Sequence, residues 1–184
     1  EICACLVGSE MCIRDRYKDI KSQGLRVSKD DLCLWANYIC NIFMFVRISK
    51  YDRSLVNKQK SLDKYYCIDN GLRGAVLMPQ SDENGKKLEN TVFMQLNRMK
   101  LPSDKIYYYQ DDSKCNFLLH RSDRVVRLIQ VTWDMAYENT HERQEFTGIL
   151  EASLAIGCNN QLIVTKEEEA TIVHEGKQIN VMPA

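Results

Sequence analysis

The stretch from Ser113 to Trp133, SKCNFLLHRSDRVVRLIQVTW, decides how the rest of the chain is organised. Apolar and polar residues alternate from Cys115 to Leu119, and a second, strongly apolar run extends from Val125 to Trp133. The polar tetrad between the two runs, Arg121 to Arg124, has the length and composition of a tight turn. The pattern predicts two antiparallel strands joined as a β-hairpin.

The second strand of this hairpin carries two polar residues among apolar ones. Because side chains alternate with a period of two, Gln130 and Thr132 share one face with Val126 and Leu128. A buried polar side chain is costly unless it is hydrogen-bonded or lies at the mouth of a site. We therefore take Gln130 and Thr132, with Asn116 on the partner strand, as the candidate site. The alternative is that they are hydrogen-bonded polar residues at the end of a sheet.

Composition and charge exclude several classes of protein. The chain has 184 residues, 45% of them hydrophobic, which is enough for one ordinary domain with a sizeable core. The chain has 25 lysine and arginine residues and 25 aspartate and glutamate residues. Its net charge is therefore zero and does not favour binding to nucleic acid or to a membrane surface. No apolar run approaches the ~20 residues of a transmembrane helix. We therefore expect a cytoplasmic protein without a membrane partner.

The eight cysteines predict neither disulfides nor a metal site. Cys33, Cys40, Cys67, Cys115 and Cys158 form no Cys-x-x-Cys pair, and three histidines are the only imidazoles available to complete a zinc site. We expect reduced, partly buried thiols, as in a cytoplasmic protein.

Residues 1–16 differ from the rest of the chain. They show neither a helical nor a strand period, and they include the run CLVGSEMCIRDR, which resembles the translation of a sequencing adapter. No charged region precedes the short apolar part, so the pattern does not indicate a secretory signal. We expect a leader of non-biological origin over residues 1–16, with the biological sequence starting near Tyr17.

The segment 17–69 has the pattern of part of a winged helix. A short helix is predicted to end at Gly24, and strands are predicted at 43–49 and 65–69. Between them, a helix begins at the N-cap Ser28 and has two acidic residues in its first turn. Its predicted buried face consists of Leu32, Trp35, Ile39 and Ile42.

A local excess of basic residues lies in and beside the loop between these two strands. The stretch from Arg47 to Lys64 also contains Asp52 and Asp63. The candidates for phosphate contacts with DNA are Arg47, Lys50, Arg53, Lys58, Lys60 and Lys64. The alternative is a solvated basic loop.

From residue 70 onward, helices and strands alternate. Helices are predicted at 86–99 and 140–156, strands at 105–110 and 161–165, and a closing hairpin at 170–182. The predicted inward-facing residues are Leu88, Val92, Phe93, Leu96 and Met99 on the first helix and Phe146, Ile149, Leu150 and Leu154 on the second. Glu89 borders the first of these stripes, so its carboxylate should point at the sheet and needs a partner. This order predicts an α/β (α+β) domain with a mixed sheet flanked by helices.

Five segments, in this order, resemble the C-terminal half of a group of bacterial and archaeal AAA-type ATP-binding proteins. They are KYYCIDNGLR (64–73), KLENTVFMQL (87–96), IYYYQDDSKCNFLL (106–119), RLIQVTWDM (127–135) and ERQEFTGILEA (142–152). In that group, a P-loop ATPase domain is followed by a winged helix and by a domain of unknown function related to the PD-(D/E)xK nucleases. The resemblance implies a partial winged helix at 17–69 and a restriction-endonuclease-like domain at 70–184.

The resemblance also assigns nuclease positions to particular residues. The helix acid falls on Glu89, the metal-binding aspartate on Asn116, and the two active positions of the (D/E)xK element on Gln130 and Thr132. Such nucleases hold a divalent cation with carboxylates and use a lysine to position or activate the water. Asn116, Gln130 and Thr132 lack these carboxylate and amine groups, so we expect no metal site. We expect the four side chains to converge, with Glu89, Asn116 and Gln130 in a hydrogen-bonded polar cluster.

The expected function follows from what this sequence lacks. It contains no G-x-x-x-x-G-K-[ST] motif, so we expect no nucleotide cofactor in this chain. The resemblance implies that ATP and magnesium belong to an N-terminal ATPase domain missing from this sequence, which would be the partner, with DNA as a second, weak partner. We expect a non-catalytic interaction or regulatory module on a degenerate nuclease fold. The alternative is a divalent-metal-dependent DNA nuclease with an altered site.

Overall fold

Two helices and a two-stranded sheet form the N-terminal part of the chain. The computed structural model describes residues 13–22, 24, 26–54, 56–57, 61, 63–76, 83–111, 113–134, 140–174 and 176–184. Helix α1 spans Ile13–Ser22 and helix α2 spans Lys29–Asn41. Strands β1 (Phe45–Ile48) and β2 (Lys64–Cys67) pair antiparallel.

Helix α1 begins inside the leader that the sequence predicted. It starts at Ile13 instead of at Tyr17, because the arginines and aspartate at 14–16 are compatible with the interior of a helix. The rest of the predicted leader, residues 1–12, lies outside the described residues.

Helix α2 begins where the sequence predicts. Ser28 Oγ accepts a hydrogen bond from the Asp31 N–H (3.1 Å), and Asp31 Oδ2 accepts one from the Ser28 N–H (3.0 Å), which completes a capping box. The hydrogen bonds from Ser28 lower the pKa of Asp31. The buried face differs from the prediction, since Leu32 and Ala36 are buried whereas Ile42 is 66% exposed. Ile42 is the C-cap and therefore lies outside the helical repeat.

The C-terminal part is a six-stranded sheet with helices on both faces. Helices α3 (Asn70–Val76) and α4 (Glu83–Met99) precede it. The sheet order is β3-β4-β5-β6-β8-β7, with β5–β6 and β6–β8 parallel and the other pairs antiparallel. The remaining elements are β3 (Asp104–Gln110), β4 (Lys114–Arg121), β5 (Arg124–Val131), α5 (Thr140–Ile156), β6 (Gln161–Thr165), β7 (Ala170–His174) and β8 (Lys177–Pro183).

This architecture confirms the predicted α+β class and the mixed sheet flanked by helices. The central hairpin is also confirmed, because β4 and β5 are joined through the two-residue turn Ser122-Asp123 and pair from Phe117↔Ile129 to Arg121↔Arg124. Within the described residues, no helix combines the length and apolar character needed to cross a bilayer. The winged-helix relationship, the nuclease relationship and the division at residue 69 stay predictions.

Two hydrophobic clusters lie on opposite faces of the sheet. The α4-face core joins Val92 and Phe93 of α4 to Phe117 and Ile129 of the hairpin. The α5-face core contains Ile149 and Ala152 of α5, Leu118 and Leu128 of the hairpin, and Ile163 of β6. Successive hairpin residues therefore contribute to different cores, as the period of two requires.

Two predicted core residues of helices α4 and α5 are exposed instead. Leu154 is 68% exposed, because it lies five residues after the buried Ile149 and thus points away from the sheet. Met99 is 71% exposed and is the last residue of α4.

The two-stranded sheet shares the α4-face core with the larger sheet. Ile48 and Tyr66 belong to that core, and the Tyr66 ring stacks on Phe93 with 4.1 Å between ring centroids. Asn90 Nδ2 donates a hydrogen bond to Cys67 O (2.9 Å). Residues on both sides of the predicted boundary at 69 therefore pack into one cluster.

Helix α5 approaches strand β4 closely at one glycine. A Cβ atom on Gly148 would lie 2.8 Å from the backbone oxygen of Lys114. Glycine is needed there for space, whereas Gly157, with φ of 79°, ends the helix as the sequence predicts.

The described cysteines are free thiols, as expected. Cys67, Cys115 and Cys158 are buried, Cys40 is partly buried and Cys33 is exposed. Burial raises the pKa of the Cys115 thiol to about 12, so this side chain stays protonated at neutral pH.

Candidate functional site

Asn116 and Gln130 occupy the point where the β4–β5 ladder ends. The last paired residues are Phe117 and Ile129. Beyond them, Gln130 Oε1 accepts a hydrogen bond from the Asn116 N–H (3.1 Å), and Asn116 Oδ1 accepts one from the Val131 N–H (2.9 Å). The two amide side chains thus replace backbone carbonyls as acceptors for the neighbouring strand. We call this reciprocal pair of hydrogen bonds the amide clamp.

The amide clamp lies in a largely buried environment. Gln130 is 4% exposed and Asn116 is partly buried. The Cys115 thiol also lies across the gap, with its Sγ 3.4 Å from Ile129 O. Backbone N–H groups that lose their partners in such a place are expensive, so the amide oxygens satisfy a structural need.

Thr132 continues the same strand toward solvent. It is 9% exposed, its N–H donates to Val164 O (3.0 Å) and its hydroxyl donates to Asp134 O (3.1 Å). Asp134 itself is exposed. The Thr132 side chain therefore shapes the end of β5, next to the amide clamp.

Glu89 has different partners from those predicted. Its Oε1 accepts a hydrogen bond from the Tyr66 hydroxyl (2.6 Å) and lies 3.8 Å from Lys64 Nζ. Glu89 is on α4, which covers the face formed by Ile129 and Val131, whereas Gln130 alternates to the other face. The structure thus joins Asn116 and Gln130 by hydrogen bonds, whereas Glu89 is hydrogen-bonded to Tyr66 and not to this pair.

The sequence contained a weak signal for the true environment of Glu89. Lys64 and Tyr66 are two residues apart on β2 and therefore share a face. Lys64 Nζ also lies 5.1 Å from the ring centroid of Tyr108. What the sequence did not reveal was that β2 packs on α4.

Most of the described basic candidates have acidic partners. Arg47 Nε lies 3.6 Å from Asp63 Oδ2, Lys50 pairs with Asp111, and Lys64 pairs with Glu89. Arg53 is exposed. Lys58 and Lys60 lie outside the described residues. Because three of the four described cations are already paired, the surface offers less free positive charge than the sequence indicated.

Metal ligands are not concentrated anywhere in the described part of the chain, where no group of three or more His, Cys, Asp or Glu side chains is placed to hold a metal ion. The predicted nuclease positions supply one carboxylate, that of Glu89, and two amides. Their assignment to a nuclease site stays a prediction.

A shallow groove of about 470 Å³ lies at the other end of the sheet, over β6, β8 and β7. Arg127, Asn160, Glu169, Thr171 and Asn180 give it a mixed polar lining. None of the four predicted site residues contributes to this groove.

Comparisons with known proteins give partial similarities. No protein-family model matches the chain. An uncharacterized protein of Haemophilus influenzae is 27% identical over 125 residues, which are 67% of this chain and 30% of that protein. A chain of the Thermococcus gammatolerans assembly of McrB AAA+ hexamers with bound McrC aligns with a TM-score of 0.40 and 15% identity, over 54% of this chain and 28% of that chain. The chain therefore spans less than a third of the length of either protein.

Proposed function

We propose that this chain is a non-catalytic interaction module of a larger AAA-type ATP-binding protein, built on a nuclease-related fold in which the metal positions hold two strands together. The amide clamp carries the proposal. At the positions where the sequence resemblance places metal-binding carboxylates, Asn116 and Gln130 use their oxygens to accept backbone N–H groups.

The chemistry of the amide clamp argues against a functional cation site. Hard divalent cations are held by several oxygen ligands, usually including carboxylates. Each amide oxygen here is already an acceptor for an N–H, and neither amide carries charge to offset the charge of a cation. Removing a unit charge a few ångströms from a divalent ion weakens the attraction by several kcal/mol, on the order expected for an effective dielectric near 20.

The surroundings of Glu89 support the same reading. Its carboxylate is engaged by Tyr66 and Lys64, and its side chain is 25% exposed. This carboxylate links β2 to α4 and thus stabilises the contact between the two-stranded sheet and that helix. In the proposed function, the described polar groups stabilise a scaffold, and the ATP chemistry belongs to a partner domain in the longer protein.

A cleavage assay tests the proposal directly. The unmodified chain, incubated with supercoiled and linear DNA in magnesium or manganese, is expected to leave the DNA intact. Metal-dependent cleavage that Glu89→Gln abolishes would establish the alternative, a divalent-metal-dependent nuclease with an altered site, and would refute the proposal.

A restored-carboxylate variant tests the assignment of the positions. Asn116→Asp, Gln130→Glu and Thr132→Lys together keep acceptors in the amide clamp while adding two close negative charges. We expect this variant to bind manganese in calorimetry, whereas the unmodified chain gives no heat. The matched control adds Glu89→Gln, which should leave the manganese heat unchanged because Glu89 lies on the other side of β5. No binding by the folded triple variant contradicts the assignment.

DNA binding is expected to be weak. Since Arg47, Lys50 and Lys64 are paired with acids, few phosphates should be neutralised and few counterions released. Fluorescence anisotropy with a labelled duplex at increasing salt measures both affinity and its salt dependence. Tight binding with a steep salt slope would show that these ion pairs open to contact DNA.

A further inference from the structure

Helix α3 places an arginine side chain inside the protein. Arg73 is 3% exposed. Neither its Nε nor its Nη1 has a hydrogen-bond partner in the described part of the chain, and no described carboxylate forms an ion pair with it. Because a guanidinium keeps its charge in a protein, Arg73 brings an unpaired positive charge into the interior.

A second arginine shows how this chain satisfies a guanidinium. Arg121 donates from Nε and Nη2 to the carboxylate of Asp104, although its side chain is 44% exposed. Arg73 is far more buried and has no comparable partner among the residues that the structure describes. An unpaired buried charge is strongly destabilising, and an apolar side chain of similar volume would avoid that cost. The stability of the chain therefore does not explain an arginine at this position.

A second buried polar atom near Arg73 also has no partner within the described residues. Asn90, on α4, is 3% exposed, and its Nδ2 donates to Cys67 O (2.9 Å) and to Asn70 Oδ1 (3.0 Å), whereas its Oδ1 accepts no hydrogen bond. Asn70 precedes Arg73 by three residues on α3, so the two side chains are neighbours on one face of that helix. The available donors of Arg73 and the available acceptor of Asn90 therefore lie along the same contact between α3 and α4.

Other polar groups of this contact are satisfied. Asn70 Nδ2 donates to Lys87 O (3.1 Å) and to Thr91 Oγ1 (2.8 Å), which attaches α3 to α4. Asp69 Oδ1 accepts a hydrogen bond from the Leu72 N–H (2.8 Å) at the start of α3, so the carboxylate nearest in sequence is engaged by the backbone. The two unpartnered groups are thus exceptions within a region whose hydrogen bonds are otherwise formed.

We propose that Arg73 anchors a binding site for an oxyanion that carries a hydroxyl group, such as hydrogen phosphate or a hydroxylated phosphate ester. Nε and Nη1 lie on different edges of the guanidinium, so each edge can still donate to an oxygen of the anion. The hydroxyl of the anion donates to Asn90 Oδ1. A carboxylate has only acceptors and would satisfy Arg73 alone. This inference goes beyond the proposed function, since it uses neither the amide clamp nor the nuclease relationship.

Titration of inorganic phosphate at pH 7, with chloride keeping the ionic strength constant, tests the proposal. Calorimetry of the unmodified chain should show saturable binding, and the melting temperature should rise with the phosphate concentration. Arg73→Met should melt above the unmodified chain in chloride, because it removes the unpaired charge, and should lose the response to phosphate.

Arg98→Met is the matched control, because Arg98 is exposed on α4. It should keep the full response to phosphate. Both methionine variants share the general stabilisation by phosphate excluded from the protein surface, so the difference between them reports the site. If Arg73→Met does not fold, Arg73→Lys replaces it. That variant keeps the charge but loses the planar set of donors, so it should bind phosphate more weakly than the unmodified chain.

Sulfate and acetate distinguish the kinds of anion. Sulfate has the shape of phosphate without a proton at neutral pH, and acetate is a planar anion without a donor. Each should bind more weakly than phosphate, because Asn90 Oδ1 then stays without a partner. Sulfate or acetate binding as tightly as phosphate overturns the proposal. So does the absence of saturable phosphate binding, or an equal response in Arg73→Met, which would leave a buried water as the partner of both groups.

Discussion

General rules disfavour both the polar residues of the amide clamp and the exposed apolar residues of the α2 face, which consists of Leu34, Tyr38, Ile42 and Phe43. Within the described residues, only the amide clamp compensates its unfavourable placement. In the clamp, polar Asn116 and Gln130 lie in a largely buried strand pair, and each finds a backbone N–H 2.9 to 3.1 Å away. On the α2 face, apolar side chains point to solvent and Phe43 adopts a left-handed conformation. The first exception stabilises the fold, whereas the second lowers its stability.

Whether an unfavourably placed side chain is compensated by nearby groups is more informative than whether it is polar. A buried polar residue whose hydrogen bonds are satisfied has a structural explanation, whereas an unsatisfied one needs a further explanation. The exposed apolar side chain of Phe43, at a positive φ, has no such compensation among the described residues. The oxygens of Asn116 and Gln130, two of the candidate site residues, are thus engaged by backbone N–H groups, and their assignment to a nuclease-related site stays a prediction.

The largest effect is expected near the amide clamp, where backbone lies against backbone. Gly148→Ala would put a Cβ 2.8 Å from Lys114 O, two residues before Asn116, and neither backbone can yield easily. We expect a loss of about 2 to 3 kcal/mol in the free energy of unfolding, as for other overpacked positions. Urea denaturation followed by circular dichroism measures it.

Gly85→Ala is the matched control for this substitution. No atom lies within 4 Å of a Cβ at that helical position, so the change should stabilise the chain by about 0.5 to 1 kcal/mol. Equal effects of the two substitutions would show that helix α5 does not contact β4 as closely as described.

Removing the amide clamp should have the next largest effect. Asn116→Ala leaves the buried Val131 N–H without its acceptor and is expected to destabilise the chain by about 1 to 3 kcal/mol. Asn116→Asp keeps an acceptor oxygen and should lose less. Urea midpoints of the three chains give the comparison, and an Asn116→Ala chain as stable as the unmodified one would remove the structural role of the clamp.

The α2 face should respond in the opposite direction. Phe43→Gly relieves the left-handed conformation and is expected to stabilise the chain by about 1 kcal/mol. Phe43→Ala removes the ring but keeps a Cβ at positive φ, so it should give no comparable gain. Melting temperatures distinguish the two. A stabilisation by alanine equal to that by glycine would mean that the exposed ring, and not the backbone, causes the strain.

The smallest effect is expected at a second buried polar group of the larger sheet, the carboxylate of Asp104, which is paired with Arg121. Arg121 donates two hydrogen bonds to Asp104, Nε to Oδ1 (2.7 Å) and Nη2 to Oδ2 (2.9 Å), and they hold the pKa of Asp104 below its usual value. A lowered folded pKa contributes stability above the unfolded pKa of about 3.9, and that stability disappears as pH falls through the folded pKa.

The melting temperature of Asp104→Asn, measured against pH, tests this linkage. We expect Asp104→Asn to melt slightly below the unmodified chain at pH 7, with a constant difference down to about pH 5 that narrows below about pH 4. We expect a small effect because Arg121 is 44% exposed, so water screens its charge even though the Asp104 side chain is 1% exposed. A difference that grows in acid would contradict the lowered pKa.

The sequence by itself determined those features that depend on neighbours along the chain. Ser28 and Asp31 specify a capping box because both partners are within one turn, and Gly157 ends α5 because it readily adopts positive φ. The alternation around Arg121 to Arg124 likewise specified the hairpin and its turn. Local hydrogen bonds and the period of side chains are enough for such predictions.

Only the tertiary structure decided which distant groups meet. The period of two places the side chains of Gln130 and Ile129 on opposite faces of the sheet, but it does not tell which helix covers which face. Glu89 was therefore expected beside Gln130, and its carboxylate instead accepts a hydrogen bond from Tyr66. The sequence also could not show that the β4–β5 ladder ends at Phe117, which is what turns Asn116 and Gln130 into acceptors for backbone N–H groups. Side chains separated by many residues pair according to how the elements pack, and packing depends on all the elements at once.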